Sequence, residues 1–134
     1  MTTRALPARV VAAVERGKSS SAPAPSKSKP VRRRGVMNKT EARYAVELVA
    51  RKRMGEVRWW RFEGMTLRIA NGARYTPDFT VLPADGPLEF VEIKAGVMHE
   101  ASIVRLKVAA SLYPFRFVLV RFARGETTTT EIRP

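Results

Sequence analysis

Two stretches decide the reading: Tyr75-Thr76-Pro77-Asp78-Phe79, and Val91-Glu92-Ile93-Lys94 beyond the turn Pro83-Ala84-Asp85-Gly86-Pro87. Both are apolar enough for strands, and five turn-forming residues separate them. Side chains alternate across a strand, so Glu92 and Lys94 share one face while Val91, Ile93 and Ala95 share the other. By the same rule Phe79 and Val81 point away from Asp78. A strand–turn–strand of this length places two carboxylates and an ammonium together, on what is expected to be a polar face. Charges on the inner side of a sheet are costly unless they are paired or bind metal. Two neighbouring carboxylates also repel unless a cation or a shared proton lies between them.

Outward from this core, the elements follow from local signals. Asn38-Lys39-Thr40-Glu41 has the form of a capping box. Tyr44, Ala45, Leu48 and Val49 then recur at helical spacing, and Gly55 stops the helix. Val57, Trp59, Phe62, Leu67 and Ile69 predict two short strands broken at Glu63-Gly64. Asn71-Gly72 predicts a type I′ hairpin turn, with positive φ at both residues. One strand is expected over Arg74–Leu82 and another over Leu88–Ala95. Ile103, Leu106, Ala109, Ala110 and Tyr113 predict a helix over Glu100–Leu112, which Pro114 ends. Phe115–Phe122 reads as a strand and Thr127–Ile132 as a weak edge strand. The fold class is α/β (α+β), a central mixed β-sheet flanked by helices in the order αβββαβ.

The chain has 134 residues, with 25 Lys and Arg against 12 Asp and Glu, a formal net charge of +13. Such a balance favours a polyanionic partner, nucleic acid being the commonest. Hydrophobic residues make up 45%, enough for a real core. The absence of cysteine excludes disulfides and thiolate metal sites, and a reducing interior is compatible with it. No apolar run approaches the roughly 18–20 residues of a membrane span. A soluble, cytoplasmic protein without a membrane partner is the expectation.

The charge is uneven. Residues 1–36 hold nine Lys or Arg and one acid, Glu15, for a net +8. Ser19 to Pro30 is almost wholly Ser, Ala, Pro and Lys, and Arg32-Arg33-Arg34 follow it closely. This composition buries too little apolar area to offset its ordering entropy. It predicts a flexible basic arm over 1–36, with room for a short helix around Ala8–Arg16, ahead of a folded domain over 37–134.

Pro77-Asp78 followed by Glu92-Ile93-Lys94 resembles the motif of the PD-(D/E)xK nuclease superfamily, in residue types and in order. The likeness runs from Asn38 to about Val120, and small phage and prophage proteins compared with Holliday junction resolvases are the nearest in kind. It implies a restriction-endonuclease-like core and a Mg²⁺-dependent endodeoxyribonuclease, with Mn²⁺ as a possible substitute. It further implies that Asp78 and Glu92 ligate the metal with the Ile93 carbonyl, and that Lys94 is the catalytic lysine. Glu41 stands where such proteins carry an acid on the first helix, although the capping box alone accounts for it. Lys107 matches a residue that positions the phosphate, and a solvated helix-face lysine would look the same. Branched DNA as substrate, a homodimer making paired cuts, and a bacterial or phage-infected host cytoplasm are implied in the same way.

Arg32, Arg33 and Arg34 of the arm, and Arg51, Lys52 and Arg53 at the end of the first helix, are the remaining expected DNA contacts; the latter three also suit the helix dipole. Three other readings stay open from the residues alone: a restriction- or repair-type nuclease acting on linear duplex or ends, a non-catalytic basic DNA-binding protein, and a small RNA-binding or ribosome-associated basic protein. His99, the only histidine, lacks a partner for metal binding and reads as a surface residue. Trp59 and Trp60 predict one ring in the core and one outside. Glu47 and Glu63 are the fallback acids.

Overall fold

A computed structural model of the chain describes residues 35–96 and 99–134. The expected short helix around Ala8–Arg16, and Arg32, Arg33 and Arg34, lie outside the described residues. Of the expected arm, Gly35 and Val36 are described, and the Gly35 N–H donates to the Glu63 carboxylate at 3.0 Å.

Helix α1 spans Lys39–Arg53 and starts with the capping box that its residues predict. The Asn38 Oδ1 accepts the Glu41 N–H at 2.8 Å, and the Glu41 Oε2 accepts the Asn38 N–H at 2.9 Å. Two N–H groups that the first helical turn leaves unpaired are thereby satisfied. The helix closes at Met54, and Gly55 leaves it with φ +80°. Its buried stripe is Glu41, Tyr44 and Leu48. Val49, expected in that stripe, is 40% exposed, because it lies about 100° around the helix from Leu48.

Seven strands follow. β1 is Val57–Phe62, β2 Leu67–Ala70, β3 Ala73–Tyr75, β4 Phe79–Pro83 and β5 Glu89–Ala95. Helix α2, Glu100–Leu112, leads to β6, Arg116–Ala123, and β7, Glu126–Ile132. The main sheet has the order β1-β4-β5-β6-β7, and β2 and β3 form a separate hairpin. Strands β5 and β6 run parallel, and every other neighbouring pair is antiparallel. A parallel pair needs a long crossover, and α2 supplies it. This is the expected mixed α/β fold in the order αβββαβ, with the hairpin inserted and β7 added.

Three expectations change. The strand foreseen over Arg74–Leu82 is two strands in different sheets, because Pro77 has no N–H for a ladder and the chain crosses from hairpin to main sheet there. At Asn71-Gly72 only the glycine takes positive φ, at +74°, so the turn is not type I′. The weak edge strand is a full seven-residue strand, paired along its whole length with β6.

Each face of the main sheet has its own core. On one, Tyr44 and Leu48 of α1 pack on Val57, Phe79, Val81, Val91, Ile93, Val118 and Val120. Phe79 is fully buried, with the rings of Tyr44, Phe62 and Trp60 around it at 5.2, 5.3 and 5.9 Å. Burying one such ring stabilises by about 1.5–3 kcal/mol. On the other face, Leu106, Ala109 and Ala110 of α2 and Leu67 and Tyr75 of the hairpin pack on Phe90, Phe117 and Leu119. Among the described residues no helix is long and apolar enough to cross a membrane.

Candidate active site

Asp78 precedes β4 immediately, so Pro77 sets its entry into the main sheet. Its Oδ2 accepts the N–H of Ile93, on the neighbouring strand, at 2.8 Å. Asp78 is thereby tied to the residue between Glu92 and Lys94. The register continues toward this contact: Val81 faces Glu89, Thr80 faces Phe90 and Phe79 faces Val91.

Glu92 lies on the α2 side of β5. Its Oε2 accepts a 2.6 Å hydrogen bond from the Tyr75 hydroxyl, and its Oε1 lies 3.2 Å from the Lys94 Nζ. Both acids are buried, Asp78 at 6% and Glu92 at 7% exposure. The Lys94 side chain remains 30% exposed, so the group opens to solvent along β5. A buried carboxylate needs such donors to offset its lost hydration. The Tyr75 phenol is held well above its ordinary range, first by burial, then by the charge of Glu92 and its hydrogen bond, and lastly by Asp78. One phenol thus feels both carboxylates and stays a donor.

The face carrying the acids is not the polar one the alternation suggests. Phe90, Phe117 and Leu119 share it and lie under α2 and the hairpin. Asp78, Glu92 and Lys94 occupy one end of an apolar face, which is why the two acids are buried.

The other expected site residues that are described stand on the two helices. Glu41 is buried and its carboxylate serves the capping box. Among the described residues, no three of His, Cys, Asp and Glu come together as a metal-holding group. Arg51, Lys52 and Arg53 end α1, which packs on the opposite face of the sheet. Arg51 pairs with Glu56 at 3.5 Å, while Lys52 and Arg53 line a groove of about 570 Å³ with Val49 and Trp60. Lys107 is exposed on α2, Glu47 is exposed on α1, and His99 is the exposed N-cap of α2 without a side-chain capping bond. Trp60 packs against the core and Trp59 is 37% exposed, one ring in and one out as expected.

Two residues escaped the sequence reading. Tyr75 was visible only as part of the Tyr-x-Pro-Asp-Phe stretch, with no signal that its hairpin folds back over Glu92. Glu89 is a buried acid on the opposite face of β5, neutralised by Arg116 at 2.8 Å. Its pairing with an arginine 27 residues away has no local signature.

The donor set bears on which metal these residues fit. Two carboxylates with no third ligating side chain among the described residues do not make the closed cage of a structural zinc or calcium site. They suit Mg²⁺, which commonly takes one or two carboxylates and fills its shell with water and substrate phosphate. The domain is thus a mixed α/β fold with a buried pair of acids and a lysine at one end of its sheet.

No protein-family model and no curated protein sequence matches the chain. Among solved structures, the crystal structure of SSO0001 aligns with a TM-score of 0.42 and 15% identity, over 69% of this chain and 48% of that one. The chain therefore spans about half the length of that protein. The fold stands on the strand order and registers of the chain itself.

Proposed function

We propose that the chain is a Mg²⁺-dependent endodeoxyribonuclease of the PD-(D/E)xK kind, hydrolysing DNA phosphodiester bonds. The observation that carries this reading is the joining of Asp78, Glu92 and Lys94 at one end of the sheet, through the Ile93 N–H and the Tyr75 hydroxyl. Asp78 and Glu92 are the residues that would hold the metal, with the Ile93 carbonyl as the third ligand the family likeness implies. Bound there, Mg²⁺ would polarise the phosphate and lower the pKa of a coordinated water.

The chain's own groups do the rest. Tyr75 and the Ile93 N–H hold the two carboxylates in fixed orientations, which limits reorganisation when the phosphate arrives. Lys94 brings positive charge to the open side of Glu92, where negative charge grows as water adds across the P–O bond. In this reading the basic arm grips backbone phosphates without reading bases, since such contacts carry no sequence information. Branched DNA, selected by its structure and cut by a homodimer, is the substrate and assembly we assign, as the family likeness implies.

The test incubates the full chain with labelled four-way junction, flap, linear duplex and single-stranded DNA, in Mg²⁺, in Mn²⁺ or in EDTA. Metal-dependent cutting of the branched substrates ahead of the duplex is expected. Equal cutting of junction and duplex would remove the structural selectivity, and binding without cutting in every metal would remove the enzyme.

A further inference from the structure

The register of β6 and β7 extends the candidate site across the sheet. Glu92 faces Leu119, which faces Thr130; Lys94 faces Arg121, which faces Thr128. Residues paired in register stand on one face, so two rows cross three strands from Glu92 and Lys94 to the threonines. With strands spaced 4.7–4.9 Å, Thr130 stands about 10 Å from Glu92 along its row. A groove of about 320 Å³ lies over the β6 and β7 ends of these rows, and its lining includes Leu119, Arg121, Arg124, Thr128 and Thr130, with Glu126 as its one acid.

Arg121 is fixed in place: its Nη2 donates to the Gly96 carbonyl at 3.0 Å, beyond the end of β5. That contact takes one of five guanidinium N–H donors, and the side chain remains partly exposed. Arg124 stands in the left-handed region at φ 52°, at the turn that joins β6 to β7. Thr128 and Thr130 are exposed and present hydroxyl donors two residues apart. Cationic and hydroxyl donors laid along an open groove suit a chain of phosphate oxygens.

We propose that this groove is the track for the DNA backbone leading to Asp78, Glu92 and Lys94, with Arg121, Thr128 and Thr130 as its phosphate contacts. The inference rests on the nuclease reading of those three residues, and its test is read without cleavage.

Strand β7 contains its own control. Thr127, Thr128, Thr129 and Thr130 are consecutive, so Thr127 and Thr129 present the same chemistry to the opposite face. Binding of a fluorescein-labelled junction and of a labelled duplex by the full chain is measured in EDTA. The double variant Thr128→Val/Thr130→Val is expected to raise Kd about ten-fold, the weight of a hydrogen bond or two to a charged group. Thr127→Val/Thr129→Val should leave Kd unchanged, and both variants should melt like the parent because valine suits a strand.

A second readout uses the lack of cysteine in the chain. Thr128→Cys supplies a single thiol that should crosslink to DNA bearing a disulfide-activated tether on its backbone, whereas Thr129→Cys should not. Equal affinities for the two double variants together with equal crosslinking of the two thiols would overturn the groove. Cleavage lost in Asp78→Asn with no difference between the threonine pairs would remove the groove and keep the nuclease. Threonine-dependent binding in a chain that never cuts DNA would do the reverse.

Discussion

The hydroxyl of Tyr75, at the end of β3, donates a 2.6 Å hydrogen bond to the Glu92 carboxylate at the centre of β5. The hairpin and the main sheet share no ladder, yet this contact sets the orientation of the candidate ligand. Tyr75→Phe keeps the buried ring and removes only the hydroxyl. Cleavage should fall by about ten-fold, the order of one hydrogen bond to a charged group, with little change in DNA affinity. Single-turnover rates in Mg²⁺ and binding in EDTA check this, and parent-like cleavage would show that Glu92 needs no such support.

Asp78→Asn, Glu92→Gln and Lys94→Ala should each reduce cleavage at least about a hundred-fold while DNA binding in EDTA holds. Asparagine still offers an oxygen to the Ile93 N–H, so Asp78→Asn separates metal binding from strand joining. Retained cleavage in Asp78→Asn would mean that the site is misassigned.

Asn38 and Glu41 cap α1 reciprocally, and Asn38→Ala should cost about 1 kcal/mol of stability by urea unfolding. Glutamine serves equally well at the third position of a capping box, so Glu41→Gln should keep both the stability and the cleavage. Loss of cleavage at unchanged stability in Glu41→Gln would instead place that carboxylate in the metal shell.

Burial pushes the Tyr44 phenol from 10.0 up to about 12, with Arg51 opposing the rise and the charges of Glu47 and Glu89 adding to it. The folded state therefore favours the neutral phenol. Its contribution is fully present below pH 10 and is lost as pH rises through about 12. Tyr44→Phe removes the titrating group and keeps the ring, so its stability should fall less steeply than the parent's over that window. Urea midpoints between pH 9 and 12 measure the difference, and identical slopes would contradict it.

Thr80 is fully buried, and its hydroxyl has no hydrogen-bond partner among the described residues. Valine has nearly its shape without the polar atom. Thr80→Val should raise stability by about 1 kcal/mol, since a buried unsatisfied hydroxyl costs about that much. A lower melting temperature would show that the hydroxyl is satisfied in solution.

What could be read from the residues in order was what neighbours within a few positions decide. The Asn38–Glu41 box, the stop at Gly55, the span of α2 ahead of Pro114 and the shared face of Glu92 and Lys94 all depend on local hydrogen bonding, fixed dihedrals or the two-residue period of a strand. Pro77 breaks Arg74–Leu82 locally, since it has no N–H for a ladder, but nothing local announces that the two halves join different sheets.

The tertiary structure alone decided which of these elements meet. Tyr75 reaches Glu92 across 17 residues of chain because the hairpin packs over the α2 face. Arg121 and Thr128 stand in line with Lys94 because the α2 crossover sets the parallel register of β5 and β6. Such registers are chosen by packing two cores, one on each face of the sheet, and that choice is made by side chains far apart in sequence. Sequence by itself placed Glu92 and Lys94 on one face; the fold buried Glu92, left Lys94 partly exposed, and brought Asp78 to their strand.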